Sequence, residues 1–222
     1  LARGRGVSPD EPTGELIHNR NYDVRTYREA PDLMRIRGVV QDSKPPGIYF
    51  ADDPEPLVIH QMVVDLMVGF PSLEIVDAEV VLEVHPHSQC PRIADHYREL
   101  VGLSIARGFN RRLRELFGGP RGCSHTTALL QAMAPVAIQS TWSMRMLSED
   151  PDVLPEMPPD PTPEQLRERF RWNLNTCHVW AEDGDVLGEI LSGGEMEVPI
   201  WAADRARRLG RDPRVWRDGR RG

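Results

Sequence analysis

Two stretches decide the fold: VIHQMVVDLMV at residues 58–68 and EIVDAEVVLEV at residues 74–84. In the first, Val58, His60, Met62, Val64, Leu66 and Val68 fall on alternate positions, with Gln61 and Asp65 between them. In the second, Val76, Ala78, Val80, Leu82 and Val84 alternate with Asp77, Glu79 and Glu83. A period of two puts each apolar set on one face of a strand. Phe70-Pro71-Ser72 turns the chain between them, so the pair predicts an antiparallel hairpin with one buried and one solvated face.

Upstream, residues 33–40 (LMRIRGVV) mix apolar and charged residues in a third strand-like run, and residues 42–46 end it with turn chemistry. Residues 1–14, rich in Gly, Pro, Arg and Asp, predict disorder. Downstream the pattern turns helical. Pro91 suits the first position of a helix over 91–101, and a short helix is expected over 107–117. Gly118-Gly119-Pro120-Arg121-Gly122 breaks the chain before a long helix from Cys123 toward Met146, which Pro135 is expected to kink. A Pro-rich acidic stretch over 150–163 reads as a linker. Beyond it a helix is expected at 163–170, a strand at 175–181, a hairpin turn at 182–185 and an Arg-rich helix at 199–209.

The sum is an α/β protein of the α+β type: a three-stranded antiparallel sheet packed against helices, with a C-terminal appendage. Residues 1–20 are expected to form a disordered N-terminus, 21–149 the core domain with the Cys/His site, 150–163 the Pro-rich linker and 164–222 the appendage. The appendage is expected to pack on the core domain, on a second copy or on another protein.

A chain of 222 residues is long enough to bury a core without disulfide or metal staples. Three cysteines make no disulfide framework. The net charge of −7 argues against nucleic acid as a partner. No apolar run reaches the roughly 20 residues that cross a bilayer, and no secretory signal stands at the start. A cytoplasmic protein is the expectation. Lys44, the single lysine, lies in a turn-like segment, so Schiff-base chemistry is set aside.

Chemistry-bearing residues gather at element ends. His85-Pro86-His87-Ser88-Gln89-Cys90-Pro91 follows the second hairpin strand, and Gly122-Cys123-Ser124-His125 opens the long helix. Imidazole and thiolate suit Zn and Fe. Backbone N–H groups at a helix start stabilise an anion, and the thiolate is the form that binds metal or attacks an electrophile. That placement fits a ligand and a nucleophile equally well. His60, on the apolar side of its strand, is either a hydrogen-bonded core residue or a group aimed into a site. His85 and His87 read as solvated, and His96 and His178 as lacking ligand-like neighbours. Arg121, in a Gly-rich loop before a helix, is the candidate to hold a small anion such as phosphate or carboxylate.

His60-Gln61-Met62, Cys90-Pro91, Leu100-Val101-Gly102-Leu103 and Gly122-Cys123-Ser124-His125 together resemble a bacterial family, domain of unknown function 2889, over residues 22–144. That resemblance implies no activity. A second similarity runs to the NifU-type iron–sulfur scaffold proteins, whose later two cysteines Cys90 and Cys123 match. It implies a NifU-like sheet and a cluster site. The first scaffold cysteine is missing, and His60 is the candidate replacement.

Three functions follow. The first is a metal-binding protein whose ligands are His60, Cys90, Cys123 and His125, holding Fe, Zn or an iron–sulfur cluster. Cys123 and His125 face one site only if Cys123 precedes the regular helix, and Asp65 or water is the alternative ligand. The second is an enzyme with Cys90 or Cys123 as nucleophile, a histidine such as His125 as base and Arg121 as anion clamp. The third is a non-catalytic subunit that docks through its C-terminal region.

Overall fold

The structure, a computed structural model, describes residues 13–148, 158, 160–171, 173–194 and 197–216. The expected N-terminal disorder lies outside these residues as far as residue 12, and so does most of the expected linker. Asn19 and Arg20, expected in the disordered N-terminus, are instead the first residues of a strand.

The sheet is antiparallel as the alternation requires, but it has four strands rather than three: β1 (Asn19–Ala30), β2 (Leu33–Lys44), β3 (Leu57–Gly69) and β4 (Ile75–Val84), in that spatial order. The added strand, β1, reads NRNYDVRTYREA and is mostly exposed. It carries no apolar alternation because it lies at the sheet edge, where the ladder to β2 and side-chain ion pairs such as Arg35–Glu29 hold it. β2 also runs further than its turn chemistry suggests. Met34, Ile36, Val40 and Asp42 are all buried on one face, so Asp42 continues the strand.

Two irregularities correct the expected faces. Val68 pairs with Ile75 and Met67 with Asp77, a bulge that buries Ile75 and leaves Val76 50% exposed. At the other end Asp42 pairs with His60 but Ser43 pairs with Val58. The extra residue, Ile59, puts Val58 out of phase with His60.

Cys90–Leu100 is a 3-10 helix, and its three-residue turn stacks Tyr97 over Leu100, both buried. Then come α1 (Phe109–Phe117) and α2 (Ser124–Met146), which continues through Pro135. α2 lies on the inner face of the sheet at Gly38. A Cβ on Gly38 would stand 2.8 Å from Met133 Sδ and 3.0 Å from a Leu129 methyl, so glycine lets these side chains of the helix seat on the strand without shifting.

The chain divides into two compact units, residues 1–137 and 138–222, the boundary falling within α2. The second unit holds the end of α2 with α3 (Pro163–Arg169), α4 (Asp185–Leu191) and α5 (Ile200–Arg208). A capping box at Thr162 and Gln165 starts α3. The expected strand over 175–181 is absent. Asn175 adopts the left-handed region, its N–H bonds to Trp180 O at 2.8 Å, and its side chain accepts from Glu182 N, a closed local turn. The segment read as a hairpin turn leads instead into α4.

Candidate functional site

One row of residues crosses three strands on the inner face: Arg20 of β1 opposite Asp42 of β2, and Asp42 opposite His60 of β3. His125, in the first turn of α2, comes down onto this row. The placement follows from the Gly38 contact. His125 lies eight residues before Met133, about 12 Å along a helix. Asp42 lies four residues beyond Gly38, about 13 Å along a strand. The two spans match, so the helix start meets the buried acid.

Asp42 is only 2% exposed, and its carboxylate is fully engaged. Arg20 grips both oxygens, Nε to Oδ1 at 2.6 Å and Nη2 to Oδ2 at 2.7 Å. This guanidinium holds the Asp42 carboxyl well below the usual carboxylate range, at about 2, and Asp42 in turn raises Arg20. His125 Nε2 stands 3.0 Å from Oδ2. A carboxylate ionised at every ordinary pH only accepts, so Nε2 carries a proton, and in the neutral ring Nδ1 is the nitrogen with the lone pair.

Nδ1 faces sulfur. Cys123 Sγ lies 3.8 Å from His125 Nδ1. Cys123 stands just outside the regular helix, its carbonyl accepting from Thr127 N, so the divergence expected of two residues in one helical turn does not apply. Tyr97 fixes the cysteine backbone: its hydroxyl accepts from Cys123 N at 2.8 Å and donates to Cys123 O at 3.2 Å. The Tyr97 ring stacks on Phe117 at 4.6 Å, and burial raises the phenol so that it stays neutral. Gly122 makes the approach possible, since a Cβ there would lie 2.5 Å from Phe117 O.

His60 lies over His125, ring centroids 4.0 Å apart and planes inclined by 27°. Its Nδ1 is 3.5 Å from Asp42 Oδ2, buried, and without a hydrogen-bond partner. Burial first, and then the neighbouring His125, push the His60 imidazole below its ordinary 6.5. His18 Nε2 lies 3.7 Å from Asp42 Oδ1 on a more open side.

The structure thus brings His60, Cys123 and His125 together. Cys90 sits half-buried at the start of the 3-10 helix, its N–H on His87 O at 2.9 Å. Among the described residues no hydrogen bond or ligand-like grouping joins it to the other three. Arg121 Nη2 donates to Arg114 O at 3.0 Å, capping the end of α1. Asp65 turns to the opposite face, paired with Arg37 and Arg35. Asp42, Arg20 and Tyr97 are the residues sequence reasoning missed. For Asp42 the signal was present, because it extends the alternation Met34, Ile36, Gly38, Val40. Arg20 and Tyr97 carry no such mark.

A family model described as "Protein of unknown function (DUF2889)" matches residues 18–139, which includes the whole row and the start of α2. The chain belongs to this family. No curated protein and no solved structure matches it, and the similarity to NifU-type scaffold proteins finds no support.

Proposed function

We propose that the chain is a thiol-dependent acyl-transfer enzyme in which Cys123 is the nucleophile. The observation that carries this reading is the unbroken series Cys123 Sγ, His125 Nδ1, His125 Nε2, Asp42 Oδ2, Arg20. It has the nucleophile, the base and the group that orients the base in hydrogen-bonding sequence. Cys123 Sγ attacks an acyl carbon while His125 Nδ1 takes the thiol proton. The imidazolium is stabilised by Asp42, itself held as an anion by Arg20. The adduct collapses, the bond to the leaving alcohol or thiol breaks, and the leaving group takes the proton from His125. Water then attacks the Cys123 thioester with His125 as base, releasing a carboxylic acid and restoring the thiol. First-turn N–H groups of α2, which no helix carbonyl can reach, supply the donors for the oxyanion.

A divalent metal ion held by Asp42, His60 and His125 is the second reading, and one observation favours it. The buried His60 Nδ1 lacks a partner, and one ligand atom from each residue falls within 4.8 Å of the others. The arrangement as it stands does not fit an ion. Imidazole lone pairs lie in the ring plane, and two stacked planes inclined by 27° do not meet within a metal–nitrogen bond of about 2.0–2.1 Å. The Arg20 guanidinium beside the carboxylate further opposes a cation.

Alkylation of the whole chain with iodoacetamide, mapped by mass spectrometry, decides between them. Cys177 is exposed and serves as the unassisted control. Cys123 should react at least tenfold faster than Cys177. His125→Gln or Asp42→Asn should remove that advantage, and added Zn should not protect it. Equal rates at the two cysteines would defeat the thiol reading. Protection of Cys123 by one bound equivalent of metal would favour the ion.

A further inference from the structure

The polar row opens toward one end of the sheet. Side-chain exposure rises from Asp42 and His125 through His60 to Arg20 and His18, the outermost member. His18 is preceded directly by Leu16 and Ile17, both well exposed. Their segment is tied to the end of β2, where Lys44 Nζ donates to Ile17 O at 3.3 Å. The loop between β2 and β3 leaves that same end, starting three residues after Asp42 and returning four residues before His60. Its neck is closed by Gly47 N on Asp53 O at 3.1 Å and Asp53 N on Phe50 O at 3.0 Å. The turn so formed holds Ile48, Tyr49 and Phe50 outward, Phe50 being 62% exposed.

Single exposed apolar residues are ordinary, but five large ones on two segments tied to one strand end make a patch that marks a binding surface. The strands beneath it hold the reacting row. We infer that this patch is the binding platform for the apolar part of the substrate, and that the substrate class is the ester or thioester of a medium-length aliphatic or aryl acid. The inference rests on the acyl-transfer reading. It adds which acyl group is preferred and where that group lies. Asp42 and Arg20 neutralise each other, and the neighbouring surface offers, besides Lys44, hydrocarbon and two aromatic rings.

The test uses p-nitrophenyl acetate, butyrate and octanoate with the full chain, alongside calorimetric titration of octanoate into Cys123→Ser. In the wild type kcat/KM should rise from acetate to octanoate by roughly tenfold or more, the scale of a partly buried alkyl chain. The double variant Tyr49→Ala/Phe50→Ala alters exposed loop residues only. It should lose the octanoate advantage over acetate, mainly through KM. Equal use of all three esters would overturn the platform while leaving the nucleophile standing. If no ester is turned over, or Cys123→Ser turns them over as well, the acyl-transfer reading fails, and the titration judges the platform alone. Octanoate binding that disappears when Tyr49→Ala/Phe50→Ala is combined with Cys123→Ser upholds it, and absence of binding rejects it. A double variant that changes only the oligomeric state would make the patch a contact between copies, and the substrate assignment would fall.

Discussion

Asp42 and His60 face each other across β2 and β3 at the last pair before the strands slip register by one residue. Because cross-strand partners share a face, this pairing puts a carboxylate and an imidazole side by side under α2. The slip at Ile59 then ends the regular alternation, so the inward row stops at the site.

Both members of that pair make the protein less stable in acid, in separate windows. Burial lowers His60 below 6.5, so as pH falls through 6.5 the unfolded chain takes up a proton that the folded chain resists. Stability is therefore lost from about pH 6.5 downward until the folded-state value is passed. Asp42 is lowered from 3.8 to about 2, so its contribution is complete above pH 3.8 and vanishes as pH falls to 2. That second loss is on the order of 2 kcal/mol. Urea midpoints measured from pH 7.5 to 2.5 should show both declines, and His60→Gln should flatten the upper one alone. An upper decline unchanged in His60→Gln would mean that His60 is not held neutral by the fold.

Tyr97→Phe keeps the ring stacked on Phe117 but removes the hydroxyl that serves both backbone groups of Cys123. Leaving that part-buried N–H without its acceptor should cost about 1 kcal/mol. Alkylation of Cys123 should slow while Cys177, in the same sample, reacts at its former rate. A destabilised variant whose Cys123 reacts as fast as before would show that Tyr97 supports the fold and not the thiol.

Gly38→Ala should destabilise the protein by about 1–3 kcal/mol, because the added methyl falls 2.8 Å from Met133 Sδ. Methionine is flexible and can retreat in part, which sets the lower bound. Combining it with Met133→Ala should cost less than the two single changes added together. Strict additivity in that cycle would place the conflict elsewhere.

The alternation at 58–68 and 74–84 made β3 and β4 legible, because burial on one face imprints a period on the sequence, whereas α2 was legible from its Ala-, Leu-, Met- and Gln-rich composition. β1 left no imprint: an edge strand exposed along most of its length is free to be polar. Asp42 was obscured by its neighbours, since Asp-Ser-Lys-Pro-Pro reads as a turn while the strand continues through Lys44. For the site, His60, Cys123 and His125 stood out by residue type. What joins them did not, because the Asp42–His125 contact spans 83 residues and the Arg20–Asp42 pair spans 22. Such contacts depend on strand register and helix placement, which no local pattern records.

The same spans order events during synthesis on the ribosome. Arg20, Asp42 and His60 are made early and can align as soon as the first three strands pair. His125 cannot reach them until α2 has left the exit tunnel and settled against Gly38. On the acyl-transfer reading, a growing chain carries Cys123 and His125 side by side but lacks the Asp42 contact that orients the ring, so the series from thiol to guanidinium is assembled only once α2 has docked.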